Sequence, residues 1–255
     1  MRLAAIFNVW ADCLCLLPYA VENIRPVVDE VIIVWSRKSN RGHYSGDKLG
    51  NYELPKGCEL VQCEPVSTVP HVNETAKRNA GLEAAKSGGF THFIMMDSDE
   101  FYVQSDFIKQ KKAIEDQDLA GTVCRVQTYF KSPTLTIGLD HTLVPFIHKI
   151  TPTLKYHLKF AGYPFAYERG QARIDSTRRL NITKGVQMVD ITMHHYSWIR
   201  RDFKLKMDNS SAKFKAHRSA FVYEDLKNAK PGYFLKGYQR ELVSSPNLFN
   251  LPEYE

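Results

Sequence analysis

The chain has 255 residues, 44% of them hydrophobic and 24% charged, with a net charge of +6. That is enough for one well-buried core, and the charge content is ordinary for a soluble globular protein. No apolar run reaches the roughly 18 residues that a membrane-spanning helix needs, and five cysteines at irregular spacings fit neither a zinc site nor a disulfide framework.

The opening "MRLAAIFNVWADCLCLLPYAV" has a signal-peptide flavour, but Asn8 and Asp12 interrupt it and no small-residue cleavage site follows. It reads instead as a buried strand, "RLAAIFNV", followed by a helix in which Pro18 is tolerated near the first turn. "VDEVIIVWS" is a second, β-branched strand, and the Gly-, Ser- and Asn-rich stretch after it is a loop. "CELVQCEP" is a third strand. "NETAKRNAGLEAAK" is a helix with Asn73 as its expected N-cap and Gly88–Gly89 as its stop. "THFIMMD" is a fourth strand, too apolar to have a face in water. A helix capped by Ser105 follows, then the strand "AGTVCRVQTYF". Beyond it the pattern loosens. Strands are expected in "VPFIHKITPTLKY" and "VQMVDITMHHYSWIR", and a basic amphipathic helix in "RDFKLKMDNSSAKFKAHR".

Strands alternating with helices predict an α/β fold with a doubly wound, mostly parallel sheet and helices on both faces, elaborated at the C-terminus. One domain is expected over 1–255: a half at 1–102, a second at 103–218 and an extension at 219–255. In such sheets ligands sit at the carboxyl ends of the strands. The fourth strand ends there in Asp97, Asp99 and Glu100. In extended chain, residues i and i+2 project to the same side, so Asp97 and Asp99 converge on a hard cation such as Mg²⁺ or Mn²⁺. The alternative is a solvated turn.

The stretch "AKRNAGLEAAKSGGFTHFIMMDSDEFY" resembles the core of GT-A fold glycosyltransferases, close to family 2. The match lies in Arg78, Asn79 and Gly81 on a helix, then a strand, then the Asp-x-Asp motif at Asp97 and Asp99. Asn8 and Asp12 match the end of the family's first strand loosely. "MHHYSWIRRDFKLKMDN" is similar to a family segment whose histidine completes the metal site, which points to His195 and, through an imidazole ligand, to Mn²⁺ over Mg²⁺. The family's second strand commonly ends in aspartates that read the donor base. Here Trp35, Ser36 and Arg37 stand instead, with Trp35 suited to stacking on a base and Arg37 to a phosphate.

The resemblance implies a metal-dependent, inverting transfer of a hexose or pentose from a nucleotide sugar, a UDP-sugar first, to an acceptor hydroxyl. Inversion needs a general base. Asp140, Glu168, Asp175 and Asp190 are the candidates, Glu168 first because it follows an aromatic run as the base does in similar enzymes, and Asp190 second. Arg78 orients the donor or braces Asp97. Arg200, Arg201, Lys204 and Lys206 suit the donor diphosphate, and His194 suits the acceptor cleft. Among the aromatics, Trp10, Tyr129, Phe130, Tyr163 and Trp198 are options for stacking, against the commoner role of core residue.

Residues 149–218 hold 15 of the 34 Lys/Arg but 5 of the 28 Asp/Glu. That block fits an anionic partner or a solvated face. It keeps open a non-catalytic nucleic-acid-binding protein, although no helix-turn-helix, zinc-finger or RNP signature is present. It also leaves three acceptor classes: a glycan, a lipid or a hydroxylated DNA base. A nucleotidyltransferase is disfavoured because no glycine-rich loop follows the first strand. Reduced thiols point to a cytoplasmic location, where the N-x-S/T triplets at Asn73, Asn181 and Asn209 carry no meaning.

Overall fold

The computed structural model describes residues 1–11, 14–44, 54–158, 160–165, 174–200, 203–209 and 224–253. The N-terminal half alternates as expected: β1 (Leu3–Val9), α1 (Leu17–Ile24), β2 (Glu30–Trp35), β3 (Glu59–Gln62), α2 (Pro70–Ser87) and β4 (His92–Asp97). These strands pair in parallel, in the order β3-β2-β1-β4. After β4 come β5 (Glu100–Phe101), α3 (Gln104–Asp116), β6 (Gly121–Phe130), β7 (Ser132–Lys149), β8 (Val186–Trp198) and α4 (Phe203–Asn209). The sheet continues β4-β7-β6-β8-β5 and becomes mixed, because β7 runs antiparallel to both β4 and β6 while β6 and β8 are parallel. One sheet thus runs through both halves. Short strands close the chain: β9 (Phe234–Leu235), β10 (Arg240–Glu241) and β11 (Val243–Ser244), the last on β7.

Strand β1 explains the two-faced core. Leu3, Ala5, Phe7 and Val9 pack with α1 and α3 on one side, and Ala4 and Ile6 pack with α2 on the other. A strand covered on both faces needs apolar residues at every position, and each fully buried Ile, Leu or Phe contributes about 1.5–3 kcal/mol. Gly81 lets α2 come close. A methyl there would lie 2.3 Å from Ile6 Cγ2 and 2.8 Å from Val34 Cγ2. A third cluster, around Phe130, Trp198, Leu235 and Leu242, joins the C-terminal strands to the sheet.

Three local expectations are corrected. Helix α2 starts at Pro70 with Val69 as its N-cap, and Asn73 lies inside it. A proline at the first helical position fixes the start, while the Asn73 side chain reaches back to accept from the Val66 and Ser67 amides. Helix α3 is preceded by Val103, so Ser105 falls in its first turn. The strand expected at 144–156 begins at Ser132, because the chain passes through Gly138 at φ 73° and continues. The basic helix is described over Phe203–Asn209, and its remainder lies outside the described residues.

Candidate functional site

A cleft of about 650 Å³ opens at the carboxyl ends of β1 and β4. Asn8, Val9 and Trp10 come from the end of β1, and Glu74, Lys77 and Arg78 from α2. Asp97 through Glu100 lie at its floor. The far wall is built from β6, β7 and β8, with Tyr238 from the turn before β10 and Arg240 from β10. Lys77 anchors one side, its ammonium donating to Val9 O at 3.1 Å and to Ser36 Oγ at 2.6 Å.

The floor is a turn. Ser98 and Asp99 leave the strand, so the i, i+2 rule for extended chain does not hold across Asp97 and Asp99. Asp97 points to arginines: Arg178 Nη2 lies 2.5 Å from Oδ2 and Arg78 Nη2 3.5 Å from Oδ1. Asp99 is buried against Arg200, with Lys206 Nζ at 3.6 Å and His195 Nε2 at 3.7 Å. Glu100 is fully buried, paired with Arg178, and accepts from the Asp97 amide at 3.1 Å. In the β5–β8 ladder Glu100 stands opposite His195, and directly opposed residues bring their side chains together. Among the described residues, the group with metal-ligand spacing is therefore Asp99, Glu100 and His195, whose donor atoms lie within 4.8 Å of one another. The expected set had Asp97 in place of Glu100.

Electrostatics separates the three acids. Burial raises the pKa of Asp97, but Arg178 and Arg78 outweigh it and hold the group low. Burial acts likewise on Asp99, where Arg200 and Lys206 win and the carboxyl stays well below its usual range. For Glu100 burial prevails over Arg178, and the pKa rises to about 7. Burial drives His195 down to about 4 against the pull of Asp99, so at neutral pH its imidazole is uncharged, the form that ligates a metal. Two carboxylates and a neutral imidazole fit Mn²⁺ by donor type.

The other expected residues are placed as follows. Asn8 lines the cleft; its amide donates towards Met95 Sδ at 3.0 Å, and its buried Oδ1 has no partner among the described residues. Arg78 is 1% exposed, pairs with Glu74 at 2.8 Å, and lines the cleft with Nε and Nη1 unpartnered among the described residues. Trp35 packs against the core, Ser36 is buried and donates to Lys38 O, and Arg37 is exposed. None of these three lines the cleft, whereas Trp10 does. Arg200 and Lys206 line it, each also donating to Ser197 O at 3.0 Å. Lys204 is exposed and paired with Asp208. Asp190 is exposed, away from the cleft, with its carbonyl accepting from Gln110. His194 is turned from the cleft and hydrogen-bonds Tyr129 OH at 2.9 Å. Tyr129, Phe130 and Tyr163 are core residues, and Trp198 faces the cleft. Asp12, Glu168 and Arg201 lie outside the described residues.

Arg178, Lys77 and the role of Glu100 escaped the sequence reading. Arg178 is carried on a 3-10 turn, Ser176–Arg178, capped by Asp175, whose carboxylate accepts from the Thr177 amide at 2.7 Å. The Asp-x-Thr pattern marks such a turn, but nothing local shows that it abuts β4.

No protein-family model and no curated protein matches this sequence. Among solved structures, the chain is similar to S. aureus TarS 1–349 at TM-score 0.43 and 14% identity, over 89% of this chain and 71% of that one. TarS 1–349 in complex with UDP gives 0.35 and 16%, over 50% and 36%. A mannose-1-phosphate geranyltransferase from Thermus thermophilus gives 0.32 and 11%, over 53% and 44%. The chain thus spans less than half the length of the last two chains. Likeness this distant carries no functional argument, and the chemistry is read from the cleft.

Proposed function

We propose that the chain is a metal-dependent glycosyltransferase, moving a sugar from a nucleotide donor, a UDP-sugar first, to an acceptor hydroxyl with inversion. The observation that carries this reading is the grouping of Asp99, Glu100 and His195 at the carboxyl end of a parallel strand, ringed by Arg78, Arg178, Arg200 and Lys206. That combination suits a diphosphate and a divalent cation together. Mn²⁺ or Mg²⁺ held by Asp99, Glu100 and His195 would stabilise the charge that develops on the leaving diphosphate. The protein's own part is positional. Lys77 and Arg78 border the donor end. Arg200 and Lys206 keep Asp99 ionised and oriented, and add positive field where the diphosphate departs. Arg178 neutralises Asp97 and Glu100, and its guanidinium would be available to a phosphate oxygen if Glu100 ligated a cation. Trp198 and Tyr238 form an aromatic edge suited to a sugar ring.

The basic block supports the nucleic-acid reading less than its charge suggests. Of its eight described Lys/Arg residues, Arg179, Arg200 and Lys206 are buried and Arg178 is nearly so. The acceptor, whether glycan, lipid or hydroxylated DNA base, separates by salt: transfer to DNA falls steeply as salt rises. Cys58, Cys63 and Cys124 are free thiols, which agrees with the cytoplasmic location we propose. Among the described residues no helix is long and apolar enough to cross a membrane.

His195→Gln tests the metal role. Asp99 keeps its ion pairs with Arg200 and Lys206 in this variant. The expected outcome is a wild-type melting temperature with a sharply raised Mn²⁺ requirement for UDP release from UDP-GlcNAc. An unchanged Mn²⁺ dependence would remove His195 from the metal site.

A further inference from the structure

Most cleft carboxylates are matched to a cation. Asp97 and Glu100 have Arg178, Asp99 has Arg200, and Glu74 has Arg78. Asp140 and Asp175 have no lysine or arginine at ion-pair distance among the described residues. Asp175 is spent on its turn, with Oδ1 accepting from Thr177 Oγ1 and from the Thr177 amide. Neighbouring atoms that exclude water raise its pKa, but these bonds and the fields of Arg78 and Arg178 lower it further, which makes it a weak base.

Asp140 is different. Its Oδ1 accepts from the Thr142 amide at 3.1 Å and from Thr142 Oγ1 at 3.2 Å, which leaves Oδ2 without a partner among the described residues. The backbone explains why it faces the cleft. Along β6 and β7, Arg125 pairs with Leu143 and Gln127 with Leu139, so four residue steps on β7 oppose two on β6. The surplus is a bulge, a device that re-aims side chains beside active sites, and here Asp140 and Thr142 both line the cleft. Arg240 holds the bulge from below by donating to Leu139 O. Asp140 therefore lines the same cleft as the acid floor, from β7.

We infer that Asp140 is the general base of the transfer, an assignment that rests on the glycosyltransferase reading. The acceptor O–H gives its proton to the Asp140 carboxylate as the oxygen bonds to the anomeric carbon. The bond from that carbon to the diphosphate breaks, and its electron pair leaves with the nucleotide. Thr142 holds one carboxylate oxygen so that the other meets the hydroxyl.

The test uses the full chain with Mn²⁺ and UDP-GlcNAc, following UDP release and UDP affinity, with water and then azide as nucleophile. In Asp140→Asn, UDP release into water falls about 10²- to 10⁴-fold, while UDP binds as in the wild type. Azide has no proton to lose, so it restores UDP release and yields the glycosyl azide. Asp140→Ala behaves the same way, and it serves should the amide disturb the bulge. Hydrolysis at the wild-type rate in either variant, or loss that azide does not restore, overturns the assignment of Asp140 alone. A wild-type protein that neither binds UDP nor releases it from the donor overturns the transferase reading beneath it.

Discussion

His148 is 1% exposed, with Nε2 against Tyr163 OH at 2.9 Å. Burial drives its pKa down to about 3. Below about 6.5 the unfolded chain takes up a proton that the folded chain refuses. The stability His148 contributes is therefore complete above that pH and drains away as pH falls toward 3. Buried His194 and half-buried His195, each driven to about 4, act in the same direction. Glu100 opposes them. Raised to about 7 when folded, it favours the folded state as pH drops from 7 toward its unfolded value. His148→Gln should flatten the acid limb: its urea midpoint should fall less between pH 7 and pH 4.5 than the wild type's. An equal fall in both proteins would mean that His148 is protonated in the native state. At this scale the sequence was legible where one residue type announces its chemistry. Asp99 and His195 stand out by motif, but Glu100 gains its partner only through strand register, and Arg178 reaches Asp97 from 81 residues away.

Among the elements, α2 is the one whose seat governs the site. It carries Glu74, Lys77 and Arg78, and its distance from the sheet is set at Gly81, where Ile6 and Val34 leave no room for a methyl. Both neighbours are β-branched and fully buried, so neither yields cheaply. Gly81→Ala should cost about 1–3 kcal/mol by overpacking, despite the better helix propensity of alanine, and should weaken donor binding by lifting Arg78 from Asp97. Urea denaturation measures the first effect; a variant as stable as the wild type would show that the helix shifts without strain. The parallel strands β1, β2 and β4 were readable because both their faces are apolar. The bulges were not. Strand β8 gains one residue on β6 between Thr128–His195 and Phe130–Trp198, which helps His195, Ser197 and Trp198 share the cleft. A period-2 pattern carries no mark of such a step, nor of the one that turns Asp140 inward.

For the whole molecule, half of the described Lys/Arg residues in the basic block point inward rather than to an external face. The C-terminal half folds back as a mixed sheet and delivers Arg178, Arg200 and Lys206 to acids at the end of β4. The N-terminal half supplies one wall of the cleft in the layout that alternating strands and helices imply. The opposite wall depends on pairings between distant segments, from β7 to the tail. Phe249, for example, packs on Phe101 and His194 behind the acid turn. The most direct test of the central claim is a thermal-shift screen of UDP-, GDP-, dTDP- and CMP-sugars, each with Mn²⁺ or with EDTA. A ligand that binds only the native state raises the melting temperature by mass action. The expected result is stabilisation by one donor, UDP-linked, only when Mn²⁺ is present. No shift with any donor, alongside a clear shift with duplex DNA, would contradict the enzyme reading and restore the nucleic-acid-binding one.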